Sequence, residues 1–160
     1  MDEIAIDVRS LGKRYRVDPG QEFWALEDVT FRARLNPPLA ATALLNARQL
    51  KADYLPDDAR VCERLAEALL QRHKTREGLS LLRNLHQRFP DYPDVPRAYL
   101  LAARGFAEGL GQVEPARKLL AFIRARYPQS SLLDEVAVLE ATIDKLTGLH
   151  LNAPGAAGKG

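Results

Sequence analysis

The stretch LAEALLQRHKTREGLSLLRNLHQRFP, residues 65–90, aligns without a gap on ARGFAEGLGQVEPARKLLAFIRARYP, residues 103–128. Gly78 falls on Ala116, Leu82 on Leu120, Leu85 on Ile123, Phe89 on Tyr127 and Pro90 on Pro128, each pair 38 positions apart. A recurrence at such a period means that one supersecondary unit is used more than once. Apolar residues within each copy return at steps of three and four, the period of a helix with one buried face. The proline after each copy stops its helix, because the ring removes a donor and clashes with the preceding turn.

Working outward from the copies, breakers and periodicity predict helices near residues 39–53, 57–73, 76–89, 95–110, 115–127 and 132–147. They would form three antiparallel hairpins. Small residues at 78 and 116 let paired helices approach closely, and large apolar residues fill the grooves between hairpins. One hairpin alone leaves a face wet, so at least three stack to bury a continuous core. All ten prolines fall outside predicted helix interiors or in a first turn, as Pro96 and Pro115 do. Asp57 or Asp58, Asp94 and Ser131 are the expected N-caps, and Ser131 with Asp134 approximates a capping box.

This pattern resembles the tetratricopeptide repeat. In that family the second helix carries a small residue, a large apolar one four later, another apolar one three after that and a proline five further on. Gly78, Leu82, Leu85 and Pro90 follow that spacing, as do Ala116, Leu120, Ile123 and Pro128. The usual period of the family is 34. Three of the four extra residues are assigned to the loop from Asp91 to Pro96 and one to the turn within each hairpin. The Phe-Pro-Asp and Tyr-Pro-Gln-Ser signatures are similar to a longer variant common in bacterial envelope proteins. The resemblance implies a mainly α right-handed solenoid of about three hairpins over residues 37–148, with a concave groove that receives a peptide or a partner helix.

Composition sets the outer limits. A chain of 160 residues and 17.8 kDa, 46% hydrophobic and 28% charged, is globular in type, and no apolar run reaches the roughly 18–20 residues of a membrane helix. The opening Met-Asp-Glu-Ile-Ala-Ile-Asp lacks the basic start and apolar stretch of a secretory signal, which points to a cytoplasmic protein; the resemblance adds association with an envelope or membrane complex. Arginine supplies 17 of the 23 basic residues, yet 21 acidic residues are interleaved and no aromatic series alternates with the arginines. Nucleic-acid binding is therefore not expected. The single cysteine, Cys62, reads as a buried small residue.

Ahead of the repeats, alternating residues at 4–8 and 29–35 predict a two-stranded hairpin, residues 1–36 forming a small β segment. Ile6 to Tyr15 and Phe23 to Phe31 resemble the opening strands of an ATP-binding-cassette transporter ATPase, in which the aromatic at Tyr15 would stack on adenine. In those ATPases a glycine-rich phosphate loop follows the Val-Thr-Phe strand. Here Asn36-Pro37-Pro38 stands in its place and opens a helix. Without that loop Tyr15 has no nucleotide to hold. The alternative reading, a truncated or regulatory fragment of such an ATPase, rests on this segment alone. Phe23, Trp24 and Phe31 are the groups able to anchor the hairpin, and residues 149–160 read as a flexible tail.

No Ser or Cys has a base and an orienting partner in recognisable order, and neither His73 nor His86 has metal-ligand spacing around it. The chain reads as a non-enzymatic adaptor with no catalytic residue, cofactor or metal. Carrying the tetratricopeptide register over, with Tyr99 as the bulky packing residue of the first helix, gives groove positions Arg97, Leu100, Arg104 and Glu108. On the following hairpin it gives Glu135, Val138, Thr142 and Lys145. Arg97, Arg104 and Glu108 share one helical face, and two arginines there suit the carboxylates of an acidic protein or peptide. Self-association through the repeats is the third reading.

Overall fold

Pro37 and Pro38 lack the amide protons that a helix start leaves unused, and their fixed φ suits a first turn. The computed structural model, which describes residues 36–151, accordingly begins with helix α1 at Pro37–Leu50. Asn36 caps it, its side-chain oxygen accepting from Leu39 N–H at 3.3 Å. The predicted strands at 4–8 and 29–35, with Tyr15, lie outside the described residues. The described chain is helical, with α2 at Ala59–Gln71, α3 at Thr75–Leu82, α4 at Leu85–Arg88, α5 at Val95–Arg104, a π-helical turn at Gly105–Gly109, α6 at Val113–Arg126 and α7 at Leu133–Leu151. It divides into two units after Leu81.

In the first unit α1 packs on α2. Asp58, one of the two expected caps, accepts from Val61 N–H at 3.1 Å and starts α2. Ala40, Ala41, Leu44 and Ala47 of α1 are buried, as are Val61, Cys62, Leu65, Ala66 and Leu69 of α2. Cys62 is fully buried, as expected of a small core residue, and its Sγ donates to the Pro56 carbonyl at 3.4 Å. Gly78 of α3 lies so close to α2 that a Cβ there would stand 3.0 Å from the Ala66 carbonyl oxygen. Arg48 joins three elements: Nε donates to the Tyr54 carbonyl at 3.2 Å and a terminal nitrogen to Ser80 Oγ at 3.0 Å. Burial lowers its pKa, and nearby Glu77 opposes that shift.

The second unit holds α4 to α7, with α5 packed on α6 and α6 on α7. Its interior is built from Leu85, Val95, Tyr99, Leu100, Leu120, Ile123, Val136, Leu139 and Ile143.

The 38-residue recurrence extends to the backbone. Helix starts recur at Thr75 and Val113, and again at Val95 and Leu133. Helix ends recur at Arg88 and Arg126, where the cap amides of Phe89 and Tyr127 bond the Leu85 and Ile123 carbonyls, both at 2.8 Å. The left-handed residue that turns each hairpin recurs at His73 (φ 59°) and Gly111 (φ 64°). The following amides close the turns, Lys74 N–H to Leu69 O and Gln112 N–H to Phe106 O, both at 2.8 Å, the bonding that relieves orphan carbonyls at a helix end. Leu82 and Leu120 are 2% and 0% exposed.

Two helices depart from the pattern. The predicted helix over 76–89 is interrupted at Arg83 and Asn84, because Asn84 takes a left-handed conformation (φ 52°, ψ 32°). Asparagine is among the few non-glycine residues that adopt it readily. The predicted helix over 95–110 loosens into the π turn, bounded by Gly105 and Gly109, which shifts the closing acceptor from Ala107 to Phe106. At the last helix the serine hydroxyl that takes up an amide is Ser130, accepting from Leu132 N–H at 3.2 Å, rather than the expected Ser131.

The turns give a paired test. Gly111→Ala, with open space around the new methyl group, is expected to cost about 1 kcal/mol through backbone strain alone. His73→Gly is expected to stabilise by about 0.5 kcal/mol, relief of left-handed strain outweighing the added freedom of the unfolded chain. Gly78→Val is expected to cost about 2 kcal/mol by overpacking against α2. Urea denaturation of the three variants measures these differences.

Candidate functional site

Tyr99, the expected bulky packing residue of α5, is 4% exposed. Its ring centroid lies 5.4 Å from Phe122 and 5.7 Å from His86, and Phe122 lies 4.9 Å from His86, in edge-on and tilted arrangements. These geometries are favourable for ring quadrupoles. The interruption at Asn84 deprives His86 N–H of a carbonyl one turn back, and the Tyr99 hydroxyl accepts that amide at 3.3 Å. The same hydroxyl bonds His86 Nδ1. His86 is thus a structural residue that ties α4 to α5. His73 is the turn residue of the first hairpin.

The predicted groove residues fall as follows. Arg97, Arg104 and Glu108 are exposed along α5 and the π turn, and Glu135 and Lys145 are exposed on α7. Thr142 is half-buried, and its hydroxyl donates to the Val138 carbonyl at 2.9 Å, one turn back. Val138 is 67% exposed. Leu100 is buried at 4% and belongs to the interior, since its neighbours Tyr99 and Ala103 on α5 turn the same side inward. Two candidates meet directly: a terminal nitrogen of Arg104 lies 3.2 Å from Glu135 Oε2.

That contact is one of three in which α7 presents a carboxylate to an arginine of α5 or α6. Arg117 reaches Asp144 at 2.6 Å, and Arg124 grips Glu140 through Nε and a terminal nitrogen, the latter at 2.7 Å. The hydrogen bonds and charge of Glu140 raise the pKa of Arg124 further. Exposed pairs of this kind add little stability; the roll of α7 is set by Val136, Leu139 and Ile143, which face the core.

Arg97 also lines an open cleft of about 490 Å³ between the start of α5 and the loop at 127–132, together with Pro96, Arg126, Tyr127 and Ser130. Sequence reasoning missed Arg126, Tyr127 and Ser130. The available signal was the basic last turn of α6 followed by a serine pair in the loop that precedes the next helix. Among the described residues no group of three or more His, Cys, Asp and Glu could hold a metal ion, and no helix is long and apolar enough to cross a membrane.

The chain matches no known family model, and no curated protein matches it.

Burial raises the pKa of Tyr99 above the usual 10.0, although the His86 and Leu85 amides pull it back. The folded state therefore holds the phenol proton more tightly than the unfolded chain. This contribution to stability is complete below pH 10 and is lost as pH rises through the folded value. Tyr99→Phe is expected to lose about 1 kcal/mol at neutral pH by leaving the His86 amide unmet. It is also expected to flatten the alkaline fall in stability, as thermal unfolding measured between pH 8 and 11 will show.

Proposed function

We propose that the chain is a non-enzymatic protein-interaction module, a tetratricopeptide-like right-handed solenoid of helix hairpins that takes an acidic peptide or partner helix along α5 and the flank of α7. The observation that carries the proposal is the recurrence, 38 residues apart, of helix starts, left-handed turn residues and helix ends around buried Leu82 and Leu120. Scaffolds built from repeated hairpins leave extended surfaces for binding. The exposed charges Arg97, Arg104 and Glu108 give that surface its chemistry, with Glu135, Thr142 and Lys145 on the facing flank.

Arg97 and Arg104 are seven residues apart, about 10 Å along a helix. Two carboxylates three residues apart in a polyproline II segment share one face and lie about 9 Å apart, and two carboxylates seven residues apart on a partner helix lie about 10 Å apart. The exposed Arg104–Glu135 pair can be exchanged for a partner carboxylate at small cost. At Arg97 the partner enters the cleft beside Arg126, where the guanidinium forks suit carboxylate geometry.

The double variant Arg97→Glu with Arg104→Glu is expected to lose proteins captured from lysate by the wild-type chain, with the helical circular dichroism unchanged. Capture of the same proteins by the folded double variant contradicts the proposal.

A further inference from the structure

Helix α7 carries one face that nothing described covers. Val136, Leu139 and Ile143 point into the core; Glu135 on one flank is tied to Arg104, and Glu140 and Asp144 on the other are tied to Arg124 and Arg117. The face opposite the core holds Asp134, Val138, Ala141 and Lys145, all exposed. Their steps of four, three and four are those of a seam between two helices. Val138, 67% exposed, is the most exposed large apolar residue described.

The charges on this face have a symmetry of their own. Of the charged side chains described on α7, three are consumed by arginines of the same unit. Asp134 and Lys145 have no ion pair among the described residues. They are opposite in sign, eleven residues apart, and stand at the two ends of the seam. In an antiparallel pairing of two such helices that sets Asp134 against the partner's Lys145, Val138 meets the partner's Ala141, and both contacts occur twice. Isologous pairing of this kind is the commonest route to a symmetric dimer. Ala141, with its small side chain, lets the two backbones approach.

We propose that this face of α7 binds a second copy of the same chain, antiparallel, with Val138 at the centre of the seam and reciprocal Asp134–Lys145 pairs at its ends. The inference does not depend on the groove reading, whose arginines lie on α5. Lys145 borders both surfaces.

Sedimentation equilibrium of the full chain tests it. The expected result is a reversible species of twice the 17.8 kDa chain mass, lost in Val138→Glu at every concentration while circular dichroism and thermal unfolding stay as in the wild type. Asp134→Lys and Lys145→Asp are each expected to weaken self-association about tenfold by placing like charges together, and an equimolar mixture of the two single variants is expected to recover the dimer as a heterodimer. A chain that stays monomeric at all concentrations overturns the proposal, as does a dimer indifferent to Val138→Glu or to the charge exchanges. A mixture of the two variants that fails to associate contradicts the antiparallel register.

Discussion

The main-chain bonds that close the two hairpin turns set the terms for the rest. At His73 and at Gly111 the chain takes one left-handed step, and the next amide returns to a carbonyl near the end of the first helix, both at 2.8 Å. The helix that follows then starts two residues later in each copy and runs back along the first. Only with that return does Gly78 come to rest against the Ala66 carbonyl, and only then do Leu82 and Leu120 leave water. A histidine holds the step in one copy, with strain, and a glycine holds it in the other without. The same left-handed step is thus taken with and without glycine.

The same economy of short-range rules made much of the fold legible in the sequence. Prolines at 37 and 38, an aspartate at 58 and the aromatic-proline pairs at 89–90 and 127–128 are local signals, and the helix ends observed lie within a few residues of where those signals place them. What could not be read is long-range. The interruption at Asn84 survives because the Tyr99 hydroxyl, thirteen residues beyond His86, supplies the acceptor that the broken helix withdraws. The left-handed tolerance of asparagine is visible in the sequence, but its partner is not. The π turn also depends on packing. Glycines at 105 and 109 permit it, and α6, against which it lies, selects it.

For the candidate site the balance differs. Helical periodicity placed Arg97, Arg104 and Glu108 on one helical face, and each of the three is exposed. It could not place Leu100, since the boundary between an inward and an outward position depends on how far α5 is rolled, and burial of Tyr99 and Ala103 fixes that roll. Nor could it show that Arg104 and Glu135, both chosen as groove residues, pair with each other at 3.2 Å. The three arginine–carboxylate contacts are a collective feature of α5, α6 and α7. They remain open to water and add little stability, so the lie of α7 is set by its buried Val136, Leu139 and Ile143. Arg126 escaped notice because a basic residue in a last helical turn is already explained by the helix dipole.

Residue-resolved amide hydrogen exchange of the native chain tests the central claim most directly. The account predicts slow exchange at Lys74 and at Gln112, whose amides close the two turns, matching protection at Phe89 and Tyr127, and a gap in protection at Arg83 and Asn84 between protected helices. Free exchange at Lys74 and Gln112, or unbroken protection through residues 83 and 84, would contradict it.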